Sequence, residues 1–302
     1  VKHAGRVDAA GLAIDTTRRS SVIADYLALT KPRLNFLVVL TSAAGYYLGG
    51  ASAPQFWPMA QAVAGTALVA GGAAVLNQVY ERDTDRLMRR TRLRPLPDGR
   101  VTAGEARIFG IAIAGMGLAL LAVATNIAAM LLALATLAVY LIVYTPMKRR
   151  SSMATLLGAI PGALPALIGW TAARGTKSIG GWVLFGIVFI WQIPHFMAIA
   201  WMYREDYRSA GFPMLPVVEP DGRRTGQQAL LYAIALLPMS VAPSFVDVSG
   251  WAYFWVALVL SAALLVLAAR FAARRSDIAA RWLFFGSITY LPLLWAAMML
   301  DH

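Results

Sequence analysis

At 302 residues, 59% hydrophobic, 14% charged and with a mean hydropathy of +0.62, the chain is too apolar for a water-soluble globule and reads as a polytopic membrane protein. Cysteine is absent, which excludes a disulfide framework, a thiolate nucleophile and a cysteine metal site. The net charge of +12 is parcelled among short inter-span loops, the pattern that orientation in a lipid bilayer produces, so nucleic acid is not the partner it points to.

Residues 1–24 are polar and are expected to form a flexible cytoplasmic tail. The first 30 residues contain no apolar core of the signal-peptide kind, so the first span is expected to act as the insertion signal. Residues 25–302 then read as a single all-α integral-membrane domain. Nine segments have spanning length, at 32–53, 57–79, 104–124, 127–146, 153–173, 181–202, 227–246, 251–270 and 278–299. With the N-terminus in the cytoplasm, every basic residue except Arg174 and Lys177 falls on the cytoplasmic side, which predicts an external C-terminus.

A weak internal repeat relates the two long loops on that side. Pro97-Asp-Gly-Arg-Val-Thr102 follows the second span and Pro220-Asp-Gly-Arg-Arg-Thr225 the sixth. Each begins with a Pro-Asp-Gly turn signal. Each is also expected to restart a helix through a capping box, Thr102 with Glu105 and Thr225 with Gln228. Residues 25–150 and 151–275 thus read as parallel halves with the ninth span appended, and a site at their junction is the expected geometry.

The second span ends in Asn77-Gln-Val-Tyr-Glu81-Arg-Asp-Thr-Asp85. On a helix, Asn77, Glu81 and Asp85 share an arc of about 80° and rise about 12 Å. Asp83 points the other way and is expected to pair with an arginine. Oxygen-only ligands favour a hard cation, magnesium over zinc or copper, and the spread suits two ions flanking a diphosphate rather than one caged ion. Glu205 and Asp206 form a matching acidic pair in the second loop.

Arg89, Arg90, Arg92, Arg94 and Lys148 offer donors for phosphate oxygens, and topological charge with anionic-lipid contact is the competing reading. His195, in Gln192-Ile-Pro-His195-Phe, is the one histidine within a span. A hydrogen-bonded structural role and a role in proton transfer or co-substrate contact both stand open for it. Tyr140, Tyr144, Trp191, Trp201 and Tyr203 read as interfacial belt, or as cavity-facing rings able to stabilise a cation. Gly45-x-x-x-Gly49 and Gly158-x-x-x-Gly162 permit close helix contact.

These motifs resemble the intramembrane prenyltransferases of the UbiA type, and within them the branch that farnesylates haem. The marks, from about Asp25 onward, are Lys31-Pro-Arg33, Asn77-x-x-x-Glu81-x-x-x-Asp85, Arg92-x-Arg94-Pro-Leu-Pro, Tyr144-Thr-x-x-Lys148-Arg, Gly162-Ala-x-Pro, Gln192-Ile-Pro-His195-Phe and Asp206-Tyr-x-x-Ala-Gly-x-Pro-Met-Leu-Pro216. Quinone-type relatives carry D-x-x-x-D in the second loop, where this chain reads Tyr203-Arg-Glu-Asp206-Tyr207. The resemblance implies a nine-span bundle around a central cavity open to the cytoplasm, in a bacterial inner membrane. It implies farnesyl diphosphate as donor, haem b as acceptor, Mg2+ as cofactor and haem O as product, with a haem A synthase as the partner that uses it. On this reading Asn77, Glu81, Asp85, Asp206 and His195 carry the chemistry, with Glu81, Asp85 and Asp206 as metal ligands. Arg89, Arg92, Arg94, Lys148 and Tyr144 bind the diphosphate. Prenylation of an aromatic quinone precursor, and a non-enzymatic haem or small-molecule carrier, are the alternatives.

Overall fold

The computed structural model describes residues 21–50, 55–175 and 178–302. Most of the expected N-terminal tail, the end of the first span at 51–53 and Lys177 lie outside the described residues. Those residues are helices and their connections, with no strand among them.

Helix α1 (Val22–Leu29) is capped by Ser21. After Lys31, at φ 50°, Pro32 opens α2 (Pro32–Gly49), a first-turn position that needs no N–H. Helix α3 (Phe56–Asp85) has 30 residues, or about 45 Å, against roughly 30 Å of hydrocarbon. It therefore continues past the end of its apolar span at 79 and carries its last turns beyond the membrane core.

Helix α4 (Ala103–Ala124) starts on the expected Thr102–Glu105 capping box. Helix α5 (Ile127–Ala138) passes through a π-helical turn (Val139–Tyr144) into α6 (Thr145–Met147), so that Ile127–Met147 is one span. Then come α7 (Ala154–Arg174), α8 (Ile179–Met202), and the short α9 (Arg204–Ser209) and α10 (Leu215–Val218). Helix α11 (Arg223–Val241) ends in a 3-10 turn (Ala242–Phe245), and α12 (Trp251–Arg274) and α13 (Asp277–Leu300) complete the chain.

Eight of these segments have the length and apolarity to cross a membrane. The expected first span, α2, has 18 residues but opens with Arg33 and Asn35, and these polar residues lower its hydropathy. It still packs inside the bundle between α3 and α7.

The second expected capping box does not form. Gly222, at φ +70°, turns the chain so that α11 begins at Arg223. Asp221 and Glu219 then accept from the N–H groups of Arg223 and Arg224. Thr225 consequently lies inside the helix, its hydroxyl buried without a partner.

Small residues set the helix spacing. Gly45 and Gly49 of α2 press on the backbone of α7 at Ala166 and Trp170, while Gly72 of α3 presses on Gly110 of α4. The largest apolar core lies in the second half, where Trp191, Leu236, Phe271 and Trp295 join α8, α11, α12 and α13. Asp301 clamps the far ends of the last two helices, its carboxylate accepting from Tyr253 N–H at 2.7 Å, a favourable place for a negative charge at the start of α12. Outward residues such as Ile111, Val123, Val259 and Phe285 are exposed, as a lipid-facing surface requires.

Replacing Gly169 by alanine puts a Cβ 1.9 Å from Ser42 O and 2.8 Å from Tyr46 N, backbone atoms of α2 that cannot yield. Gly169→Ala is therefore expected to lose at least about 1–3 kcal/mol. Gly115→Ala, with nothing within 4 Å, should behave as wild type. Thermal unfolding in detergent checks this, and equal transitions for both variants would contradict the packing described.

Candidate active site

Helices α2, α3, α5, α7 and α8 enclose a cavity of about 440 Å³. Its two ends differ in chemistry. Lys31, Asn77, Glu81, Asp85, Arg94 and Lys148 line the mouth, whereas Val69, Ala73, Ala133, Leu137, Pro165 and Ile168 line the interior. The proline pair of α7, Pro161 and Pro165, faces the space. The π-helical turn just before Pro146 stacks Tyr140 on Tyr144 at 5.3 Å, and both line the wall. Such insertions concentrate at functional sites because they re-aim side chains.

The predicted face of α3 points into this mouth. Asn77 Nδ2 donates to Glu81 Oε2 at 3.0 Å, and Thr145 Oγ1 donates to Asn77 Oδ1 at 2.8 Å. Lys148 Nζ reaches Glu81 Oε1 at 3.1 Å, and Arg94 reaches Asp85 Oδ2 at 3.0 Å. Glu81 is 3% and Asp85 1% exposed, a depth at which unpaired charge is costly. Asp85 Oδ1 nevertheless has no partner. Burial is the largest single influence on the Lys148 ammonium and opposes it, but Glu81, Tyr207 and Tyr140 together outweigh burial and raise its pKa. Lys148 stays cationic and sits 4.7 Å from the Phe212 ring centroid. Asp83 lies on the other side of the helix and pairs with Arg82 at 3.1 Å, as expected.

The two loops meet over the mouth through apolar contacts. Met88, from the first loop, packs with Tyr207, Phe212 and Met214 of the second. Arg90 lies over the rings of Tyr203 and Tyr207, at 5.3 and 5.1 Å. Asp206, on α9, is half-buried beside Tyr207 and is not in the cavity wall. Glu205 pairs with Arg208. Among the described residues no three acidic or histidine side chains converge on one point, so Asp206 is not brought together with Glu81 and Asp85.

Arg89 and Arg92 are exposed and away from the cavity wall. His195 is on a different side of α8 from Gln192 and Phe196, which line the cavity. Its ring stacks between Trp191 and Phe284, at 5.2 and 5.1 Å, and Nδ1 meets Ser287 Oγ at 2.8 Å. That is the structural one of its two readings, anchoring α8 to α13. Lys31, Asn35 and Gln192 line the cavity without a site role in the sequence reading. Lys31 and Gln192 stand in the quoted motifs; Asn35 differs from ordinary span residues only through its neighbours in space. Tyr140 also lines the cavity, the cavity-facing one of the two readings given for its ring. Burial, and then the charge of Arg94, lower the Lys31 pKa to about 8.

The UbiA prenyltransferase family matches residues 38–289. A protein of Solibacter usitatus named protoheme IX farnesyltransferase is 44% identical over 92% of this chain and 98% of its own. Its namesake in Koribacter versatilis is 41% identical over 96% and 97%. Among solved structures, a UbiA homolog from Archaeoglobus fulgidus bound to GPP and Mg2+ has a TM-score of 0.66 at 19% identity, covering 91% of this chain and 99% of that one.

Two outcomes test the site. Lys31 is cationic below about 8 and loses its proton as pH rises through that value, so affinity for inorganic diphosphate should fall there. Calorimetric titration from pH 6.5 to 9.5 should show that limb, and Lys31→Arg should move it upward. His195→Ala should lower thermal stability by about 1–3 kcal/mol while the turnover per folded molecule stays within a few-fold of wild type. A selective collapse of turnover would instead give His195 a chemical role.

Proposed function

We propose, on the premise that this chain belongs to the UbiA prenyltransferase family, that it transfers the farnesyl group of farnesyl diphosphate to a vinyl group of haem b with addition of water, giving haem O and diphosphate. The observation that carries the reading is one cavity with a paired-charge mouth and an apolar interior. A diphosphate needs the first and a farnesyl chain the second. The identity to protoheme IX farnesyltransferases across almost the whole chain supports haem as the acceptor.

A divalent cation belongs to this chemistry, as GPP and Mg2+ bind together in the Archaeoglobus homolog. The unpartnered, buried Asp85 Oδ1 fits a hard cation. Asp85 and Glu81 would hold Mg2+, with Asp206 assigned to a second ion. When bound, the metal neutralises charge on the departing diphosphate. Asn77 and Thr145 fix the Glu81 carboxylate. Lys148 and Arg94 are held at the mouth by their carboxylates, and their remaining N–H groups face the phosphate oxygens. Arg90 and Lys31 add positive charge on the same rim.

The allylic C–O bond then ionises toward a farnesyl cation, which the Tyr140 and Tyr144 rings stabilise and the apolar wall shields from stray water. The vinyl group attacks, forming the carbon–carbon bond. The mouth is assigned to the cytoplasmic side of a bacterial inner membrane, with the C-terminus external. The arginine-rich loops at the mouth, and His302 packed on Tyr47 at the far end of α2, support that orientation. A haem A synthase consuming the product is the partner expected on this reading.

Asp85→Ala and Glu81→Ala are expected to insert normally and to lose haem O formation by at least about 100-fold. Mass spectrometry of haems and quinones extracted from expressing cells measures this. Normal haem O from either variant, or a prenylated quinone precursor in its place, would overturn the assignment.

A further inference from the structure

Gln192 is the polar side chain that α8 presents to the cavity, one turn from the apolar Phe196, and it is only 5% exposed. Its amide is fixed. Nε2 donates to Ala159 O at 3.2 Å and to Val188 O at 3.1 Å, which uses both of its hydrogens. Two facing carbonyls also settle which amide atom is nitrogen, since an oxygen there would meet only acceptors. Oε1 accepts nothing from the described residues and is not among the fully enclosed polar atoms, so it remains open to the cavity.

The helix opposite makes room for that oxygen. A Cβ on Gly162 would lie 2.1 Å from Oε1, and a Cβ on Gly158, one turn nearer the mouth, would lie 2.6 Å from the Tyr144 ring. The amide and the ring thus lie over successive glycines of one α7 face. An oriented, unpaired acceptor at membrane depth is expensive unless a donor uses it, and neither farnesyl diphosphate nor a vinyl group carries a donor.

We propose that Gln192 Oε1 positions the water that completes the reaction. This rests on the haem farnesylation reading. Vinyl attack on the farnesyl cation forms a carbon–carbon bond and leaves a cation on the vinyl carbon next to the porphyrin ring. A water donating one hydrogen to Oε1 keeps its lone pair aimed at that carbon. The C–O bond forms, and the displaced proton goes to the diphosphate released in the first step. Without the held water, the cation loses a neighbouring proton instead and yields an alkene lighter than haem O by one water. Gln192 is a positioning residue: it selects between two fates of one cation.

The test is the ratio of haem O to dehydrated farnesyl haem, read by mass spectrometry from the full-length protein in membranes. Gln192→Leu, and the length-conserving Gln192→Met, should shift that ratio toward the alkene by about tenfold, the factor of one lost hydrogen bond. Gly162→Ala, which displaces Oε1 without removing it, should shift it the same way. Being a ratio, the readout does not depend on how much protein folds. An unchanged ratio in any variant that turns over, or no product of either kind from all three, means that the amide only ties α8 to α7 and overturns the proposal. Absence of haem O from wild type would instead sink the reading on which it rests.

Discussion

The pairing of buried carboxylates with cations at the cavity mouth is the constraint on which the rest depends. Glu81 and Asp85 sit where the membrane core gives way to the loops, and both are almost fully enclosed. Leaving either unpaired there would cost several kcal/mol. Lys148 therefore has to come in from the end of α6, and Arg94 has to fold back from the loop. Those two requirements tie together three distant segments: the end of α3, the end of the span that contains the π-helical turn, and the arginine-rich loop. The same charges that hold the mouth closed to lipid keep one carboxylate oxygen free, so the arrangement is stable yet incomplete.

The cavity below that mouth exists because the helices around it are irregular. Two prolines in α7 and the π-helical turn after α5 prevent regular packing against each other. Glycines at 158 and 162 leave space that Tyr144 and Gln192 reach into. Elsewhere glycine does the opposite, drawing α2 onto α7 and α3 onto α4 until backbone meets backbone. One residue type thus both closes the frame and opens the site, depending on whether a helix backbone or a side chain lies opposite.

Much of this was legible in the chain. Spanning length and basic-residue placement gave the helices and a common side for the loops, because the bilayer imposes both. The i, i+4, i+8 spacing placed Asn77, Glu81 and Asp85 on one face, and that face turned out to be the one lining the cavity. Asp83 took the arginine partner expected of it. The spacing could not distinguish Arg94, which folds onto Asp85, from Arg92, which stays in solvent two residues away. It also could not show that Thr225 would be overtaken by Gly222 and the carboxylates of Glu219 and Asp221, since a capping box and a turn cap compete for the same N–H groups.

What the sequence determined by itself is what carries a period or a charge count: an all-helical membrane bundle, the polar face of α3, and the gathering of cations on one side. Only the tertiary structure decided which side chains meet. It put Lys148 on Glu81 and His195 against Ser287, away from the cavity. It also left Gln192 with a free oxygen inside the cavity. The physical reason is that helix periodicity fixes where a residue stands on its own helix. Its partner depends on how the helices rotate and bend against one another, and prolines, a π-helical turn and glycine contacts set that together.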